Sequence, residues 1–199
     1  MNKDTTQIFM TELDTYLFGQ GTHYEIYNKM GAHLAVKNGK EGVYFVVWAP
    51  KAKEVYVVGD FNDWRAYGYD MKPVSDGGVY ELFVEGARAG QCYKFLIISQ
   101  DGEALYKADP YANAAQLRPE TASVITDLTG FKWTDDKWVE NKKKEDHLSS
   151  AMSIYECHIG SWRKQKDGTK DGYMNYRDIA HELAEYVSDM GYTLSLIHI

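Results

Sequence analysis

The sequence predicts a mainly β protein: an immunoglobulin-like antiparallel β-sandwich, followed by the opening of a parallel α/β unit. Three observations carry that expectation. Between residues 43 and 128, short apolar or alternating runs recur, each closed by Gly, Pro or Asp, which is the spacing of a sandwich. Beyond residue 150 the pattern changes to strand, helix, strand. A charged stretch without strand alternation separates the two regions.

The first element is "TTQIFMTELDTYLF", residues 5–18. Phe9, Leu13, Tyr16 and Leu17 stand there at helical spacing, ahead of Gly19 and Gly21. This predicts a short N-terminal helix or docking segment within 1–21. "YEIYNKMGAHLA" follows, then "GKEG", which reads as a hairpin turn. "GVYFVVWAP" is a strand apolar on both faces, closed by Pro50, and "EVYVVGDF" is the next strand. In "GVYELFVEG", Tyr80, Leu82 and Val84 face one way, with Glu81 and Glu85 opposite. "QCYKFLII" is a further strand, and "SQDGEAL" holds the Asp-Gly of a hairpin. "SVITDL" closes a sandwich expected over 22–130.

The stretch "FKWTDDKWVENKKKEDHLSS" reads as a linker, 131–150, with two aromatic anchors, Trp133 and Trp138. Its Lys142–Lys144 run is a solvated face. From residue 151, "MSIYECHIG" is a continuous apolar strand. Asn175 suits a helix N-cap, with Asp178 three residues on. Tyr176, Ile179, Ala180, Leu183 and Val187 form one apolar stripe, and Gly191 stops the helix. "YTLSLIHI" is the second strand. A parallel pair needs cover on both faces, so 151–199 reads as the first part of a larger domain.

Composition narrows the partner. The net charge of −7 argues against a phosphate backbone and leaves a neutral ligand such as a sugar open. Sixteen Tyr suit sheets and amphipathic binding faces. No run approaches the roughly 18 apolar residues of a membrane span. The N-terminus lacks the apolar core of a secretory signal. Cys92 and Cys157 lie in apolar strand-like runs, as buried free thiols do in a reducing compartment. These readings point to the cytoplasm, with no membrane and no nucleic acid as partner. No metal-ligand spacing or phosphate loop appears, so neither a metal nor a cofactor is expected.

The candidate site is "VYVVGDFNDW", residues 55–64, where a strand runs into a polar turn that ends on Trp64. An indole there can pack on the apolar face of a glucose ring. Asn62 and Lys94 are polar groups for sugar hydroxyls. The competing reading has Trp64 folding over the sandwich edge to hold the turn. Asp60 and Asp63 read as turn residues that serve backbone amides. Glu156 and His158, two apart on a strand, read as a buried polar pair supporting it, or as a substrate contact through His158.

Four segments in order resemble the bacterial 1,4-α-glucan (glycogen) branching enzymes. "MGAHLAVKNGKEGVYFVVWAPKAKEVYVVGDFNDW" and "YKADPYANAAQLRPETASVITDL" are similar to the start and end of their N-terminal carbohydrate-binding module. "MSIYECHIGSWRK" and "NYRDIAHELAEYVSDMGYT" resemble the first strand and first helix of their catalytic (β/α)₈ barrel. The resemblance implies an α-1,4-glucan partner (glycogen or maltooligosaccharide) and a parent enzyme that moves α-1,4 chains to 6-hydroxyls. Such retaining chemistry requires two carboxylates about 5–5.5 Å apart. In the family these stand on later barrel strands, so no catalytic residue is expected among these 199. Related readings are a trehalose-releasing or debranching hydrolase, or a non-catalytic glucan-binding module. The chain departs from the family pattern in two places. After Thr193 it runs "LSLIHI". Near Ala104 or Leu105, where related modules often carry a second stacking Trp, it has none.

Overall fold

The computed structural model describes residues 9–74, 76–146, 148–165 and 172–198. It forms two compact units, Met1–Phe131 and Lys132–Ile199.

The first unit begins with a helix, α1 (Glu12–Gly19), and a single 3₁₀ turn at Ile26–Asn28. The sandwich strands follow: β1 (Gly31–Lys37), β2 (Lys40–Trp48), β3 (Ala52–Gly59), β4 (Lys72–Pro73), β5 (Val79–Glu85), β6 (Cys92–Ser99), β7 (Ala104–Lys107), β8 (Ala114–Ala115) and β9 (Ser123–Val124). One sheet has the order β1-β2-β5-β4. The other runs β3-β6-β9-β8, with β7 also paired to β6. Every strand pair in the unit is antiparallel. The immunoglobulin-like β-sandwich is therefore the architecture of this unit.

Two-residue alternation builds its core. Val43, Phe45 and Val47 of β2 and Val84 of β5 meet Val55 and Val57 of β3 and Tyr93 and Phe95 of β6. The other face of β2 is buried too. Tyr44 and Val46 pack with Met10, Met30, Ala35 and Val79, and Phe9 stacks edge-on against Tyr44 at 4.3 Å. The "GVYFVVW" run is thus apolar on both faces because the N-terminal segment forms a third layer over the first sheet.

That layer is assembled differently from the helical stripe in the sequence. Residues 5–8 of that reading lie outside the described residues. Leu13 and Tyr16 are more than 60% exposed, whereas Asp14 of the same helix is buried. Asp14 closes a capping box with Thr11 and also meets His23 Nε2 at 2.8 Å and Lys29 Nζ at 3.1 Å. Burial would push its carboxyl up. Hydrogen bonds from His23, Thr11 and Lys29 outweigh that and hold it well below the usual carboxylate range. The helix docks through an ion cluster and through Phe18 against Trp48, with ring centroids 5.9 Å apart.

The first hairpin turns at Asn38–Gly39, two residues before the predicted position. Lys37 pairs with Lys40, and both turn residues have positive φ, 54° and 78°. This is the Asn-Gly geometry that matches strand twist.

In the second unit a short helix, α2 (Asp136–Lys142), occupies the stretch read as a linker. Trp133 and Trp138 are exposed rather than anchored in a core. Lys142 lies 4.7 Å from the Trp138 ring centre. Strand β10 (Ile154–His158), the turn α3 (Ile159–Trp162), helix α4 (Tyr176–Asp189) and strand β11 (Leu194–His198) complete the unit. β10 and β11 are parallel, so the strand–helix–strand pattern is a βαβ unit. Asn175 caps α4 as expected, accepting from the amides of Arg177 and Asp178 at 3.0 Å. Ile179 and Leu183 are buried against Cys157, with Tyr155 and Val187 at the margin. Tyr176 and Ala180, included in the predicted stripe, are exposed. Both cysteines are free thiols. Among the described residues no helix is long and apolar enough to cross a membrane.

Candidate functional site

The residues of "GDFNDW" form one tightly closed turn at the end of β3. Gly59 must be glycine, because a Cβ there would lie 2.3 Å from the carbonyl oxygen of Cys92. A 3₁₀ turn spans Asp60–Asn62, and then Asp63 and Trp64 take φ of 51° and 60° in succession. For a Trp this left-handed backbone costs on the order of 1–2 kcal/mol. The surrounding hydrogen bonds hold it. The Trp64 amide donates to Gly59 O at 3.0 Å, and its indole N–H donates to Asp60 Oδ1 at 3.0 Å. The second oxygen of Asp60 accepts the Cys92 amide at 2.7 Å. The strained backbone leaves Trp64 39% exposed, with its N–H already bonded.

Asn62 lies inside the same turn and is only 9% exposed. Its Oδ1 accepts the Gly59 amide at 2.9 Å, and its Nδ2 donates to Val57 O at 3.1 Å. The amide therefore shapes the loop that carries Trp64 and offers little to a ligand. Lys94 stands on β6, opposite Val58 of β3. Tyr93 and Phe95 point into the core, so Lys94 points outward, and its ammonium donates to Thr121 Oγ1 at 2.7 Å.

The register of the second sheet adds a residue that the sequence reading missed. Leu96 pairs with Tyr56 on one side and with Tyr106 of β7 on the other. Paired residues share a face, and Leu96 shares its face with Lys94. Tyr56, Leu96 and Tyr106 thus form a row across three strands on the outer face, next to Lys94. Tyr106 is 56% exposed. The aromatic absent at Ala104 and Leu105 stands one residue later. The signal was present in "ALYKADP", but the loop length hid which residue faces out. Tyr56 donates to Glu54 Oε2 at 2.6 Å, and this bond to a carboxylate raises its phenol above the usual range. Burial and the neighbouring Asp60 likewise push the Cys92 thiol up, keeping it protonated.

The outer face of the second sheet carries the Tyr56 and Tyr106 rings and the Lys94 ammonium, while Trp64 stands on the turn that ends β3, with the Asp60 carboxylate committed to that turn. The face is suited to recognition rather than bond cleavage. In the second unit, Glu156 and His158 are exposed, which corrects the expectation of a buried pair. Glu156 meets His198 at 2.8 Å, and His158 Nδ1 lies 3.3 Å from Ser161 Oγ. No group of three or more metal-ligating side chains occurs among the described residues.

Residues 29–112 match the family model of carbohydrate-binding module 48, the isoamylase N-terminal domain. The chain is 54% identical over 187 residues to a 1,4-α-glucan branching enzyme of Butyrivibrio fibrisolvens, covering 94% of this chain and 29% of that protein. It is 48% identical over 182 residues to one of Protochlamydia amoebophila, covering 92% of this chain and 25% of that protein. The chain is a relative of the N-terminal part of the bacterial 1,4-α-glucan branching enzymes. It spans between a quarter and a third of the length of these curated relatives. Among solved structures, the catalytic module of the multi-modular glycogen-degrading pneumococcal virulence factor SpuA superposes with a TM-score of 0.57. It is 21% identical and covers 85% of this chain and 26% of that one. The product complex of the same factor gives 0.60 at 20% identity, covering 85% of this chain and 19% of that one. These likenesses establish the fold. The branching-enzyme relationship rests on the sequence identities.

Proposed function

We propose that this chain is the N-terminal, glucan-recognising part of a 1,4-α-glucan branching enzyme. The parent transfers α-1,4-glucan chains to 6-hydroxyls in glycogen synthesis. The relatives' identity over more than nine-tenths of this chain supports that reading. The bond-making chemistry is assigned to segments that those relatives have and this chain does not span. The βαβ unit of β10, α4 and β11 is read as the opening of the (β/α)₈ barrel. The two free thiols suit a reducing cytoplasm.

The observation that carries the binding role is the outer face of the second sheet. Trp64 is held in strained backbone with its indole N–H fastened to Asp60, and Lys94 and Tyr106 share the outer face of the sheet whose strand β3 that turn ends. Strain retained at an exposed aromatic marks a residue kept for its position. In this arrangement Trp64 and Tyr106 stack on glucose faces and Lys94 reaches hydroxyls. Asn62 acts through the turn.

Affinity electrophoresis in glycogen gels tests this. The wild-type chain is retarded. Trp64→Ala and Tyr106→Ala each weaken binding about tenfold, the loss expected for one stacking ring. Retardation unchanged in the double variant removes the sugar face from this surface.

A further inference from the structure

We propose that Asn38 is a self-modifying site, converted without an enzyme to Asp and isoAsp, and that the conversion loosens the N-terminal layer from the first sheet. Asn38 is the one Asn in the sequence that precedes a Gly. Its reaction needs the next amide nitrogen to reach the side-chain carbonyl carbon, and a Cβ on the next residue obstructs that approach. Gly39 has none, and the space where a Cβ would stand is open to 4 Å.

The hairpin loop leaves both reacting groups free. Asn38 and Gly39 are exposed, and among the described residues nothing accepts the Gly39 amide and nothing holds the Asn38 carboxamide. The other Asn residues differ in one of these respects. Asn62 is buried, with its side-chain oxygen and nitrogen both bonded. Asn175 holds two amides at the start of α4, with its nitrogen on Asp178 Oδ2. Asn141 lies inside α2. Asn28 and Asn113 are exposed but precede Lys29 and Ala114, which carry a Cβ.

The Gly39 amide nitrogen, its proton lost to hydroxide, adds to Asn38 Cγ. The Cγ–Nδ2 bond breaks, and Nδ2 takes up a proton and leaves as ammonia. Water then opens the cyclic imide: at Cγ it gives Asp, and at the main-chain carbonyl it gives isoAsp. Lys37 and Lys40 flank the loop, and their charge favours the anionic nitrogen and the carboxylate that forms. The product acts on its neighbours. Lys37 Nζ lies 5.2 Å from the Phe9 ring centre and 6.0 Å from that of Phe83, so it ties the loop to the N-terminal layer. Lys40 pairs with Glu85 at 2.8 Å. A carboxylate at position 38 competes for both ammonium groups. IsoAsp also threads the main chain through Cβ and Cγ, and a two-residue loop absorbs that only by shifting the Lys37–Lys40 pairing.

The full chain, incubated at pH 6 and at pH 8, is mapped by peptide mass spectrometry that separates Asp from isoAsp peptides. Asn38 is expected to convert at least about tenfold faster than Asn28 and Asn113, because only Gly leaves the path of attack open. Conversion is expected to be faster at pH 8 than at pH 6, because the amide must lose its proton. Asn38→Gly is the control: it keeps positive φ available and has no carboxamide to convert. After incubation, amide hydrogen exchange at Met10 and along α1 is expected to rise at least about threefold in the wild type and to stay unchanged in Asn38→Gly. Conversion at Asn38 no faster than at Asn113, or independent of pH, overturns the site. Full conversion with exchange at Met10 unchanged, or an equal rise in Asn38→Gly, overturns the link to the N-terminal layer.

Discussion

The carboxylate of Asp60 joins Trp64 to β6: one oxygen takes the indole N–H at 3.0 Å, the other the Cys92 amide at 2.7 Å. A turn that would otherwise swing on Gly59 is thereby tied to the neighbouring strand. The aromatic ring is placed by this bond as much as by the backbone.

Asp60→Ala removes both bonds at once. The Trp64 N–H regains water, while the Cys92 amide loses a charged acceptor. The expected destabilisation is about 1–2 kcal/mol, measured by urea unfolding. Glycogen affinity is expected to fall as far as in Trp64→Ala, because the ring loses its anchor. Full retention of affinity in Asp60→Ala would show that the ring is placed by the backbone alone.

Gly59→Ala tests the same turn from below. The added methyl would meet Cys92 O at 2.3 Å and Phe61 Cε1 at 2.9 Å. The first contact is backbone of the paired strand, so β3 and β6 must separate. A loss of about 1–3 kcal/mol is expected, the range for overpacking. Weaker glycogen binding should accompany it. Stability equal to wild type would show that the turn relaxes freely.

The strands were legible because a period of two survives in β2, β3, β5 and β6 whatever packs against them. The cap at Asn175 was legible because it is local chemistry. Elements whose orientation depends on a distant partner were not. On α1 the apolar residues Leu13 and Tyr16 face water, because the surface beneath the helix offers His23 and Lys29 to Asp14. Tyr106 escaped notice because its facing is decided by its register with Leu96, and the hairpin loop sets that register. Asn62 looked like a sugar contact because its type permits it, yet the turn consumes its amide. Glu156 and His158 read as buried because alternation shows that two residues share a face but not whether that face is covered.

Asp14 makes stability depend on acid. Its folded pKa lies below the unfolded value of about 3.9, so its contribution is fully present above that value. It is lost as pH falls through that value toward the lower folded one. Asp14→Asn is expected to cost about 1–3 kcal/mol at pH 7, since Lys29 and Thr11 lose a charged acceptor. The gap between wild type and variant begins to narrow below about pH 4. Urea unfolding across pH 3–7 measures it, and a gap independent of pH would exclude the ion cluster as its origin.

The buried carboxylate at Asp109 gives the opposite sign. It is 7% exposed, accepts the Tyr93 hydroxyl at 2.5 Å and the Tyr111 amide at 2.8 Å, and has the His33 imidazole in electrostatic reach. Burial raises its pKa, and these contacts only partly offset the rise. A raised folded value means that stability declines as pH climbs from the unfolded pKa through the folded one. Tyr93→Phe removes a donor to the charged form, so the carboxyl is pushed higher still. The variant is then expected to lose about 1–3 kcal/mol at pH 8, and less at pH 4, where the neutral acid needs the donor less. Urea unfolding at the two pH values checks this. An equal deficit at both would mean that Tyr93 contributes packing alone, and the Tyr93–Asp109 bond would then have no part in setting the charge of the core.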